Sequence, residues 1–153
     1  MTAKDIMKRS IVTCAPGDDV GTAAKDMHDR RCGFVPIVDA NGAVVGVVTD
    51  RDVCVALAIH KHRPPDRVAV KDIMSTPVFS CFPDENLKVV LGTMARHHVR
   101  RLPVLDKQGH LQGVLSIDDI VQIPHRRGAP TAEEIVETFR EIAHDRPIAA
   151  TAV

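Results

Sequence analysis

Apolar and polar positions divide the chain into short elements that come round twice. Val20, Ala23, Ala24 and Met27 fall at i, i+3, i+4 and i+7, the spacing that lines one face of an amphipathic helix. Leu87, Val90, Leu91 and Met94 repeat it further on. Phe34 to Val38 and Val44 to Thr49 are apolar runs of strand length on either side of Asn41-Gly42, a pair suited to a hairpin turn. Their unbroken apolar character predicts burial on both faces. A closing helix is expected from about Asp50 to Ile59, with Val53, Leu57 and neighbouring alanines turned to the sheet. Upstream, Lys4 to Met7 reads as a short helical opening and Ile11-Val12-Thr13 as a short strand. Pro16-Gly17-Asp18 then turns the chain and offers a carboxylate to the helix start.

A shift of 67 residues carries Lys4-Asp5-Ile6-Met7 onto Lys71-Asp72-Ile73-Met74, with no gap. The same shift places Cys14 on Cys81, Pro36 on Pro103, Gly46 on Gly113 and Asp52 on Asp119. Each copy predicts strand, helix, strand, strand, helix, an α/β unit of local α+β arrangement, too small to bury a core alone. The two copies are therefore expected to pack together. Residues 1–60 form the first repeat, 61–69 a linker with Pro64-Pro65, 70–124 the second repeat, and 125–153 a linker, helix and tail. In the linker, His60 and His62 read as solvated side chains, with a metal pair as the lesser alternative. Thr131 and Glu134 form a capping box for a last helix whose apolar residues Ile135, Phe139 and Ile142 need a partner. That partner is either the same module or a second subunit.

The junction after each hairpin bears the chemistry. Gly46-Val47-Val48-Thr49-Asp50-Arg51-Asp52 returns as Gly113-Val114-Leu115-Ser116-Ile117-Asp118-Asp119. A helix start has unpaired N–H groups and attracts anions. The hydroxyl of Thr49 or Ser116 adds a donor, and Asp52 or Asp119 can accept both hydrogen bonds of a vicinal diol such as that of ribose. The alternative is a helix cap, since Thr-x-x-Asp resembles a capping box. The box favours Glu or Gln, and the shorter Asp is expected to reach back poorly, leaving its oxygens for something else.

Composition narrows the classes. Lys and Arg number 20 against 20 Asp and Glu, so the excess basic charge of a nucleic-acid binder is missing. The longest apolar run, Val53 to Ile59, is too short for a membrane span, and a cytoplasmic protein is expected. The four cysteines, Cys14, Cys32, Cys54 and Cys81, lack CxxC spacing and read as buried reduced thiols. With no P-loop, HExxH or partnered nucleophile in the sequence, an enzyme is not expected.

The Lys-Asp-Ile-Met opening, the strands Val35-Pro36-Ile37-Val38-Asp39 and Leu102-Pro103-Val104-Leu105-Asp106, and the Gly-x-x-[Thr/Ser]-x-x-Asp ending occur twice in order. Over residues 3 to 123 the chain resembles a tandem CBS domain pair, or Bateman module, of the stand-alone bacterial type. The resemblance implies two β-α-β-β-α repeats about a pseudo-twofold axis and clefts for adenosyl ligands such as AMP, ADP, ATP, S-adenosylmethionine or NAD-type dinucleotides. It also implies homodimers, a regulated partner protein still unknown, and sensing rather than catalysis. Its alternative is a pair that mediates interaction and binds no nucleotide.

Carried onto this chain, the resemblance implies one site of Thr49, Arg51, Asp52 and Val47 with Phe82, Val99, Arg100 and Arg101. The other would hold Ser116, Asp119 and Val114 with Ala15, Cys32 and Gly33. So grouped, the cations Arg51, Arg100 and Arg101 surround the first site, and Asp118, Gly33 and Phe34 take their aligned places at the second. A phosphorylated ligand is then expected at Asp52, and a less anionic one or none at Asp119.

Overall fold

The computed structural model describes residues 1–59, 63–123 and 128–144. Helix α1 (Val20–Arg30) starts where Asp19 Oδ1 accepts the Thr22 N–H at 2.8 Å. Asp18, expected in that role, instead closes the preceding turn by accepting the Ala15 N–H at 2.7 Å. The helix stops at Arg31, whose φ of 50° is left-handed and lets the Cys32 N–H reach back to the Met27 carbonyl. Strands β1 (Phe34–Val38) and β2 (Val44–Thr49) form an antiparallel hairpin, turning through Gly42 at φ +83°. Helix α2 (Asp50–Ile59) follows directly. It buries Val53 and Ala56, one turn apart, so Leu57, expected on the sheet, is 43% exposed. Pro65–Arg67 makes one 3-10 turn in the linker, while His60 and His62 lie outside the described residues.

The second repeat copies this geometry. Helix α3 (Leu87–His97) is capped by Asn86 and ends at left-handed His98, φ 52°. Strands β3 (Arg101–Leu105) and β4 (Leu111–Ser116) pair in the same register as β1 and β2, with an irregularity at the aligned place, and lead into α4 (Ile117–Val121). The leading strand of each repeat, expected over Ile11–Thr13 in the first, contracts to a single parallel bridge: Cys14 to Ile37, and Cys81 to Val104. The chain is thus two β-α-β-β-α repeats about a pseudo-twofold axis, plus a C-terminal helix.

The openings of the two repeats are exchanged. The Ala3 and Lys4 N–H groups bond to the Glu85 and Pro83 carbonyls, and those of Val70 and Lys71 to Asp18 and Pro16. Ala3 is buried with Leu87, Met94, Leu102, Leu115 and Ile117 of the second repeat, while Val68 and Val70 lie in the core of the first. Each large aliphatic side chain removed from water contributes about 2 kcal/mol, so neither repeat completes its core without the other's arm. Helix α5 (Ala132–Ala143), capped by Thr131 and Glu134, lays Ile135, Phe139 and Ile142 on the second core, and Lys88 of α3 pairs with Glu134 at 2.6 Å. Within the chain the last helix folds back on its own module. Cys14 and Cys81 are buried and Cys32 is half-buried, but Cys54, expected inside, is exposed on α2.

Candidate functional site

Both β-to-α junctions are closed corners. Asp52 Oδ2 accepts from the Thr49 N–H at 2.8 Å and from Thr49 Oγ1 at 2.7 Å, while Thr49 Oγ1 accepts the Asp52 N–H at 3.3 Å. Asp119 Oδ2 likewise accepts from the Ser116 N–H at 2.9 Å and from Ser116 Oγ at 2.5 Å. The expectation that Asp is too short for the box is corrected: a helix begun directly at the strand end brings the carboxylate within reach. Only one oxygen of each carboxylate is used this way.

The remaining oxygens differ. Asp52 Oδ1 accepts no hydrogen bond among the described residues, whereas Asp119 Oδ1 sits 2.8 Å from Lys8 Nζ. Burial alone would raise the Asp119 carboxyl, but Lys8 and Ser116 outweigh it and hold its pKa below the ordinary carboxylate range. Lys8 comes from the exchanged arm: its N–H and C=O both bond to Val114, each at 2.9 Å. The aligned residue on the other arm, Ser75, makes the same bridge to Val47 but has no charge to offer Asp52. Val47 and Val114 are thus the half-buried points where each arm crosses the opposite hairpin.

The backbone of Arg100 and Arg101 runs beside the Asp119 corner. Arg101 is the direct antiparallel partner of Ser116, and the Arg100 carbonyl accepts the Ile117 N–H at 2.9 Å. The backbone of Arg100 and Arg101, expected at the Asp52 site, thus pairs with the strand end of the Asp119 corner, and Val99 packs on the second core beside it. Cys32 and Gly33, assigned to the Asp119 site, stand at the first corner. Phe34 pairs with Thr49, and Cys32, Gly33 and Asp50 line an open hollow of ≈ 680 Å³ with His28 and Arg31. The sequence held the needed signal. Folding each hairpin about its turn places Phe34 opposite Thr49 and Arg101 opposite Ser116, because a hairpin's register follows its loop. Arg51 is exposed in the first turn of α2, and Ala15 and Phe82 are exposed just past the bridging cysteines.

At the Asp119 corner Lys8 is in direct contact with Asp119, and at the first corner Arg31 and His28 share a hollow with Asp29 and Asp50. Lys8, Ser75 and Asp50 were missed as site residues, the first two because the arm exchange is a long-range feature. Arg100 also lies over the Phe139 ring, 5.6 Å from its centroid, which ties α5 to this corner.

Comparison with known proteins bears on both repeats. Protein MK0525 of Methanopyrus kandleri is 30% identical over 137 residues, 90% of this chain and 69% of that protein. Homoserine O-acetyltransferase of Methanococcoides burtonii is 33% identical over 116 residues, 76% of this chain but only 22% of the enzyme. Among solved structures, the CBS domain pair of protein MJ0100 with 5′-methylthioadenosine and S-adenosyl-L-methionine superposes with a TM-score of 0.71 at 26% identity, covering 80% of this chain and 94% of that one. CBSX2 in complex with AMP gives 0.68 at 26% identity, covering 79% and 93%. The CBS domain family matches residues 3–59 and 70–126, and this chain belongs to it.

Proposed function

We propose that the chain is a regulatory module that binds adenosyl ligands (AMP, ADP, ATP, S-adenosylmethionine or NAD-type) between its two repeats and modulates a partner protein. The observation that carries this reading is the paired corner, in which a hydroxyl and a carboxylate are fixed at the strand end and Asp52 Oδ1 accepts no hydrogen bond among the described residues. A ribose diol needs such an acceptor. The adenosyl compounds bound by the MJ0100 pair and by CBSX2 support the ligand class. The Asp52 site comprises Thr49, Arg51, Asp52 and Val47 with Cys32, Gly33 and Phe82. The Asp119 site comprises Ser116, Asp119 and Val114 with Ala15, Val99, Arg100 and Arg101. Residues 1–60 and 70–124 act as the two repeats, joined by 61–69.

The working form is a cytoplasmic homodimer. Exposed Val55 and Ile59, one turn apart on α2, support it as a candidate contact face. No helix among the described residues is long and apolar enough to cross a membrane. The competing reading, an interaction module that binds no nucleotide, draws on the capping role of both aspartates. A thermal-shift panel of AMP, ATP, NAD, 5′-methylthioadenosine and S-adenosylmethionine separates the two. A ligand at a hundredfold excess over its Kd adds about 2.7 kcal/mol, a rise of several degrees that Asp52→Ala reduces. No shift with any of them leaves the interaction module.

A further inference from the structure

We propose that the Asp119 corner is a phosphate-selective ligand site latched by Lys8, whereas the Asp52 corner is open and makes no such demand. This rests on the adenosyl reading and assigns a ligand class to each corner. Asp119 Oδ2 is committed to Ser116, so an arriving diol has only Oδ1, and Lys8 Nζ sits on Oδ1 at 2.8 Å. The Lys8 backbone is fixed by two hydrogen bonds to Val114, but its side chain is 69% exposed and can swing without moving the arm. A ligand without phosphate displaces Nζ and leaves it no anion in return. A ligand bearing phosphate gives the released Nζ a new anionic partner.

Asp118, in the first turn of α4, opposes phosphate here, but it is exposed to solvent. At the other corner Ser75 takes the place of Lys8, and Gly33 and Phe34 take those of Arg100 and Arg101. That corner therefore lacks the latch.

The test is calorimetric titration of AMP and of 5′-methylthioadenosine into the full chain. An Asp52→Asn background restricts binding to the Asp119 corner, with and without Lys8→Ser, the residue already present on the other arm. With Lys8 in place, AMP binds the tighter of the two. Lys8→Ser lowers that preference about tenfold, the worth of one charge-assisted hydrogen bond, chiefly by improving 5′-methylthioadenosine. A preference unchanged by Lys8→Ser overturns the latch. Binding that vanishes with Asp52→Asn alone overturns the second site and leaves the adenosyl reading intact. If neither compound binds the unaltered chain, the adenosyl reading fails and the latch with it.

Discussion

The exchanged arms can be tested through the two glycines they cross. A Cβ added at Gly113 would lie 2.7 Å from the Lys8 carbonyl oxygen and 2.9 Å from Met7 Sδ. A Cβ at Gly46 would press on Met74, with its Cγ at 2.8 Å, and no backbone atom is among its nearest neighbours. A flexible thioether can turn aside, but a carbonyl held in a two-way bridge to Val114 cannot. Overpacking costs about 1–3 kcal/mol, and replacing glycine by alanine returns about 0.5–1 kcal/mol through the unfolded chain. Gly46→Ala therefore comes out near neutral, and Gly113→Ala loses about 2 kcal/mol. For a chain of this size that separates their Tm values by about 4–8 °C. Thermal melts followed by circular dichroism, with urea titration as a second measure, read the difference. If Gly113→Ala proves as harmless as Gly46→Ala, the Lys8 arm does not cross its hairpin as described.

Further expectations concern titration and reactivity. Because the folded Asp119 carboxyl titrates below its ordinary value of 3.8, its contribution to stability is present above that value and is lost as pH falls through the folded pKa. The Tm gap between the parent and Asp119→Asn should hold near neutrality and close below about pH 4; a gap unchanged in acid counts against the Lys8 pairing. Burial pushes the Cys14 thiol up to about 11 and the Cys81 thiol up to about 12, so in the native chain a thiol reagent should modify exposed Cys54 and spare both until denaturant is added. Mass mapping of the labelled peptides decides it, and early labelling of Cys81 would contradict the buried core.

Legibility followed the range of the interactions. Helix faces set by Val20, Ala23 and Met27, or by Leu87, Val90 and Met94, are local patterns, and all of these residues are buried. The hairpins and the Thr131 cap were equally local. What escaped the reading was set at a distance or by small differences in cost. Asp19 and Asp18 are adjacent and chemically alike, so only the turn to Ala15 tells which one caps the helix. Leu57 and Cys54 lie on α2 at positions whose orientation depends on the face given to Val53 and Ala56. The backbone pairing of Arg101 with Ser116 was available from hairpin register. Lys8 could not be placed at all, because nothing near it in sequence says that its arm lies on the opposite repeat.

That crossing of arms has a consequence for how such a protein diversifies. Two identical chains swapping their first residues would be bound by symmetry to present the same two corners for ever. Joined end to end, the halves are free to drift apart while each still completes the other's interior. A lysine in one arm and a serine in the other are a divergence that a symmetric pair could never carry. One gene can thereby hold two corners of different charge, mechanically inseparable because neither half is whole alone.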